Sequence, residues 1–135
     1  MTRPLLIAAA LVAALTVPAL AAKTVTLPDG LKYMDLKVGK GPVPKPGQTA
    51  VVTYVGTFPN GKKFDASADH GGTFSFPLGQ HQVISCWDEA VATMHVGGHR
   101  KIVCPPAIAY GPRGAGGVIP PNATLDFDIV LVGVK

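Results

Sequence analysis

The chain has 135 residues, 47% of them hydrophobic and 15% charged, with 12 Lys and Arg against 8 Asp and Glu for a formal net charge of +4. That length suits one domain of ordinary size, and the apolar fraction is ample for a core. The lysines are scattered, with Lys62-Lys63 in an expected turn; no basic stripe of the kind nucleic-acid binding needs is present, and nucleic acid is excluded as a partner.

Residues 1–21 read as a Sec-type signal peptide. Met1-Thr2-Arg3 gives a short positive start, Leu5 to Val17 is apolar and uncharged, and Pro18 breaks the run before Ala19-Leu20-Ala21. The last three form a small-x-small cleavage pattern. Cleavage is expected after Ala21, with Ala22 the alternative. About 13 apolar residues are too few to span a bilayer, so no stable membrane anchor is expected. No cysteine lies near the cleavage point to carry a lipid. The expected address is therefore the periplasm or the medium, and the short, Ala-rich leader points to a bacterium. Residues 22–135 remain as a single domain.

Along that domain, Leu27-Pro28-Asp29-Gly30 reads as a turn and Leu31 to Val38 as a short strand. Gly39 to Gly47 is a loop whose prolines exclude helix. Thr49 to Thr57 is β-branched and aromatic, hence a strand. Asn60-Gly61 signals a hairpin, with Lys62 to Asp65 opening the return strand. Ala66 to Gly72 is expected to be an irregular loop or bulge, followed by a strand at Phe74 to Phe76.

One helix is expected from Ser85. Ser85 would cap it, Asp88 would complete a box-like pattern with Glu89 also in the first turn, and Gly97-Gly98 would end it. Trp87, Val91 and Met94 fall on one face of that helix. Arg100 to Cys104 alternates, as do Leu125, Phe127, Ile129 and Leu131 against Asp126 and Asp128. A single short helix must bury its stripe against a sheet. The fold class is α+β, a twisted antiparallel sheet with one helix on a face.

No metal centre is expected. Zinc would want four ligands at tight spacing, and His95 and His99 are separated by Gly97-Gly98, which would break a helix presenting both. Ala107 to Asp128 is more informative. Tyr110 stands at the mouth of a Gly/Pro-rich loop that ends in Val118-Ile119-Pro120-Pro121, and a strand with Phe127 follows. Glycines and prolines together give a loop of defined shape. It holds no nucleophile and no phosphate cradle, and it looks built to close over something apolar. The aromatics Tyr33, Tyr54, Phe58, Phe64, Phe74, Phe76, Trp87, Tyr110 and Phe127 default to core. However, Trp87 in the first helical turn can form a floor, and Asp65 sets a carboxylate beside the aromatic Phe64.

Three segments, VVTYVGTFPNGKKFDAS, FPLGQHQVISCWDEAVATMHVGG and AYGPRGAGGVIPPNATLDFDIVLVGV, closely resemble the FKBP-type peptidyl-prolyl cis-trans isomerases. The resemblance runs from about Thr24 to Lys135 and rests on several ordered motifs. It implies a five- to six-stranded antiparallel half-barrel around a short helix, with an apolar pocket between them. It further implies Trp87 as pocket floor, Tyr54, Phe64 and Phe127 as walls, and Phe74, Val83 and Ile119 along the rim, with Val118 beside them among the substrate-binding residues. The Ile84 N–H and the Tyr110 hydroxyl would donate to substrate carbonyls, and Asp65 would accept from Tyr54. In the resembled fold the segments holding Cys86 and Cys104 run close together, which implies a disulfide in an exported chain; two buried free thiols are the alternative.

The implied activity is acceleration of X-Pro isomerisation during folding of exported proteins, without covalent chemistry and without a cofactor. The implied partners are proline-containing polypeptides and rapamycin-like macrolides, met by a monomer. The alternative is a binding or chaperone module of the same fold with little catalysis, which would be expected to lose Asp65, Trp87 or Tyr110; all three are present. A secreted factor acting on a host would share the chemistry and differ in address. Departures from the family pattern are His70 and Ala115, where relatives often carry Arg and His, and Ile108 in place of an aromatic. The absence of Arg at position 70 is expected to remove a partner of Asp65.

Overall fold

Thr49–Thr57 is the strand on which the architecture turns. The computed structural model describes residues 23–135; the expected signal peptide, residues 1–21, lies outside them. The described chain runs β1 (Thr24–Thr26), β2 (Lys32–Lys37), β3 (Thr49–Thr57), β4 (Lys63–Ala66), β5 (Phe74–Pro77), α1 (Ser85–Val91), β6 (His99–Cys104) and β7 (Leu125–Val134). All pairings are antiparallel, in the order β1-β2-β6-β7-β3-β4, with β5 also on β3.

The α+β class is as expected, with seven strands where five to six were expected. The unexpected one is β1, three exposed residues that pair with β2. One edge of β3 is shared: Thr49 to Val52 pairs with β5, and Val55 to Thr57 with β4. At the gap between them the Ser67 side chain takes the place of a strand. Its Oγ accepts the Tyr54 N–H at 2.9 Å and donates to the Tyr54 carbonyl at 3.4 Å. Ser67 opens a 3-10 turn, Ser67–His70, inside the stretch expected to be irregular. The Asn60-Gly61 hairpin forms as expected, with Gly61 at φ 90° and its N–H on the Phe58 carbonyl at 2.8 Å.

Alternation in β7 puts Leu125, Phe127, Ile129 and Leu131 on the buried face. Trp87, Ala90, Val91 and Met94 join them, together with Ile102 of β6 and Val52 of β3. Each of the Val, Leu, Ile, Phe and Met side chains among them contributes about 1.5–3 kcal/mol by leaving water.

Two expectations about the helix fail. Its N-cap is Ile84, in extended conformation and with no side-chain cap; Ser85 already lies inside the helix. The Asp88 carboxylate instead reaches back to the preceding loop, accepting the N–H groups of Gly79 at 2.8 Å and His81 at 3.2 Å. The helix also stops at Val91, short of Gly97-Gly98, and Met94 reaches the core from the turn that follows.

Cys86 and Cys104 are joined as a disulfide, Cα to Cα 5.9 Å, both fully buried. The bond ties the first turn of α1 to the end of β6. Among the described residues no group of His, Cys, Asp and Glu is placed to hold a metal ion, and no helix is long and apolar enough to cross a membrane.

Candidate functional site

A cavity of about 190 Å³ opens between α1, β3, β4, β5 and the loop before β7. That is smaller than the roughly 300–1,000 Å³ of sites for drug-sized ligands. It suits one side chain with its flanking peptide groups.

Trp87, 5% exposed, lies in the first turn of α1 and sits at the centre of the aromatic packing. Tyr54 from β3 meets it edge-on at 4.8 Å between centroids, Phe127 from β7 at 5.2 Å, and Phe74 from β5 at 5.9 Å. Phe64 from β4 closes the ring against Phe127 at 5.7 Å. Edge-to-face pairs of this kind are each worth about 0.5–1.5 kcal/mol beyond their buried area, so the walls are held by one another. The Trp87 Nε1–H is buried without a partner among the described residues.

Polar groups stand at one side of the cavity. The Tyr54 hydroxyl donates to Asp65 Oδ2 at 2.7 Å, and the Ala66 N–H donates to Asp65 Oδ1 at 2.9 Å. His70 Nε2 lies 2.7 Å from the same Oδ1. The expected loss of a partner for Asp65 is therefore overturned: histidine at position 70 reaches the carboxylate from the 3-10 turn. Burial raises the Asp65 pKa, but the hydrogen bonds from Tyr54, His70 and Ala66 outweigh it and hold the carboxyl below its ordinary range. Burial, then the bond to Asp65, pushes the Tyr54 hydroxyl well up; burial and the Asp65 charge do the same for Tyr110. Both phenols therefore stay protonated donors at neutral pH.

Tyr110, 41% exposed, lines the cavity between two short 3-10 turns, Pro106–Ile108 and Gly111–Arg113. Val83 and Ile84, on the segment entering α1, also line the cavity. The Ile84 carbonyl is taken by the Trp87 N–H at 3.0 Å, while the Ile84 N–H has no partner among the described residues.

The structure thus gathers Tyr54, Phe64, Asp65, Phe74, Val83, Ile84, Trp87, Tyr110 and Phe127 around one cavity. It does not bring Val118 and Ile119 there. Ile119 is buried in the core, Val118 is exposed, and both line a separate, neighbouring groove. Gln82 lines the cavity and was not singled out from sequence; as an exposed polar residue in a loop it carries no signal of its own. Ser67, which fixes the backbone of Tyr54, was also missed, since its partner lies 13 residues away.

A family model described as FKBP-type peptidyl-prolyl cis-trans isomerase matches residues 41–132. The chain is 53% identical over 92 residues to "Peptidyl-prolyl cis-trans isomerase FKBP1A" of Xenopus laevis, covering 68% of this chain and 85% of that protein. It is 52% identical over 108 residues to "FK506-binding protein 4" of Dictyostelium discoideum, covering 80% of this chain but only 29% of that longer protein. Among solved structures, AtFKBP13 superposes with a TM-score of 0.80 at 38% identity, covering 84% of this chain and 99% of that one. FkpA from Escherichia coli superposes with a TM-score of 0.77 at 44% identity, covering 83% of this chain and 51% of that one.

Proposed function

The chain belongs to the FKBP-type peptidyl-prolyl cis-trans isomerase family, and from that premise we propose that its aromatic cavity accelerates X-Pro isomerisation in exported polypeptides. The observation that carries this reading is the cavity itself, a small aromatic bowl floored by Trp87 with the Tyr54–Asp65 hydrogen bond at its edge.

Rotating an amide costs about 18–20 kcal/mol because C–N resonance is lost. Uncatalysed X-Pro exchange takes roughly 10–100 s and can limit folding. The planar amide is the more charge-separated form, so removing water costs it more than the twisted form, and an apolar bowl lowers the difference between them. The prolyl ring would rest on Trp87 between Tyr54, Phe64 and Phe127, with Phe74 and Val83 at the rim. The Ile84 N–H and the Tyr110 hydroxyl would donate to the carbonyls flanking the bond. The twisted carbonyl carbon, no longer fed by the nitrogen lone pair, gains positive character, and the Asp65 carboxylate would stabilise it. No bond to the protein forms at any point.

The finer elements of the reading rest on the sequence. The leader expected at residues 1–21 supports export, to the periplasm or the medium. Rapamycin-like macrolides would seat one portion in the same bowl and leave the rest outside it, in keeping with relatives named for binding FK506. The deciding experiment is a proline-peptide exchange assay with the purified domain, alongside Asp65→Ala and Trp87→Ala. Catalysis that both variants lose is expected. Exchange no faster than in buffer alone overturns the reading.

A further inference from the structure

Beside the prolyl cavity lies a second, open groove of about 610 Å³, between the β3–β4 hairpin and the loop before β7. The two are neighbours. Phe58, which lines the groove, packs on Phe64 of the cavity wall with ring centroids 4.9 Å apart. Arg113 of the groove follows Tyr110 of the cavity within one short 3-10 turn.

The groove has a distinct chemistry. Pro120 and Pro121 offer it no N–H donors, and Val118 presents an apolar side chain that is 56% exposed. Its only charged lining residues are Lys62 and Arg113, both exposed cations that make no ion pair among the described residues. Neighbouring Lys63, by contrast, is matched with Asp69 at 3.2 Å. Two unmatched cations in a groove that also presents Phe58, Val118 and the Pro120-Pro121 pair form a surface complementary to an extended chain that carries carboxylates.

We propose that this groove is a specificity subsite, in which Lys62 and Arg113 receive acidic side chains of the client polypeptide as it leaves the prolyl cavity past Phe58. The proposal rests on the isomerase reading above. It assigns to this chain a preference for prolyl bonds flanked on one side by Asp or Glu. Exposed ion pairs are individually weak, so two of them give about a three- to tenfold gain at low ionic strength.

The test compares kcat/KM for a set of proline peptides: one neutral, one with an Asp-Glu pair two to five residues before the proline, and one with the pair after it. Each is measured on the wild-type domain and on Lys62→Ser/Arg113→Ser, in low salt and in 0.5 M sodium chloride. The expected result is a gain for one acidic placement that fades in high salt and is absent from the double variant, which turns over the neutral peptide as the wild type does. Equal rates for all three peptides on the wild type, or an acidic preference that survives in the double variant, overturn the subsite. If the wild type accelerates none of the peptides, the isomerase reading itself fails, and the subsite with it.

Discussion

Gly56 stands directly beneath Phe64: a Cβ placed on the glycine would lie 2.6 Å from Phe64 Cζ and 2.9 Å from Phe127 Cε1. The two cavity walls can rest against β3 at this height only because position 56 has no side chain. Gly56→Ala is predicted to push both rings toward Trp87 and narrow the bowl. Overpacking of this kind costs about 1–3 kcal/mol, and proline-peptide turnover is expected to fall about tenfold. A thermal melt and an exchange assay on the same sample check both parts.

Asp65 should act as an anion throughout the neutral range. Its carboxyl is held below the ordinary range in the fold, so its stabilising contribution is present above about pH 4 and is lost as pH falls through the lower, folded value. Asp65→Asn is predicted to be less stable than wild type at pH 7, with the gap closing in acid. Turnover should drop roughly ten- to a hundredfold, the scale of a lost charge-assisted hydrogen bond. Because His70 is exposed and reaches the carboxylate at the surface, His70→Ala should change turnover by no more than about threefold.

Glu89 is predicted to weaken the fold as pH rises. Burial, then the hydrogen bond and charge of Asp29, push its carboxyl up to about 7. Below about pH 4.5 it is protonated in both folded and unfolded chains; its contribution is then intact, and it is lost as pH rises through 7. Glu89→Gln keeps a donor to Asp29 without the second charge. After allowance for solvent screening the gain is about 1 kcal/mol, or roughly 4 °C in melting temperature, at pH 8. The difference should vanish near pH 4.5, and a series of melts across that interval checks the sign.

The disulfide should matter for stability and for the floor of the bowl together. Cys86 adjoins Trp87, and the bond to Cys104 closes a loop with a sequence separation of 18. Chain-entropy reasoning gives about 3 kcal/mol for a loop of that size. Cys86→Ser/Cys104→Ser, melted beside oxidised wild type, is expected to lose that much; intact mass with and without reduction, after alkylation, reads the bond directly.

Much of the fold was legible because its signals are local. The alternation of β7, the β-branched run of β3 and the Asn60-Gly61 turn each declare themselves within a few residues, and the cavity walls followed from a family resemblance carried by those segments. The features that were not legible depend on partners remote in sequence. Ser67 replaces a strand for Tyr54, and Asp88 caps a loop instead of its own helix. Arg100 is the sharpest case. Alternation with Ile102 and Cys104 sets it on the buried face, where it is 4% exposed. It is neutralised there by Asp35 of β2, bonded to the Ala90 carbonyl and Thr93 Oγ1, and stacked 4.0 Å from the Tyr33 ring. A charge in that place is affordable only with all four partners, and nothing near it in the sequence announces them.

The position of β7 bears on how such a chain can be made. It lies between β6 and β3, and it alone joins β1-β2-β6 to β3 and its neighbours; just beyond it, Lys135 exchanges both backbone hydrogen bonds with Thr49 at 2.9 Å. A polypeptide emerging from its N-terminal side, at about 5–20 residues per second, would have the six other described strands in hand and still lack the one that unites them. Without β7 the pairings that remain fall into two separate groups, β1-β2-β6 and β3-β4-β5. Joining the two groups requires β7 and contacts between distant parts of the sequence, which form slowly. Phe127, a wall of the cavity, rides on β7 and so reaches its place only when that strand does.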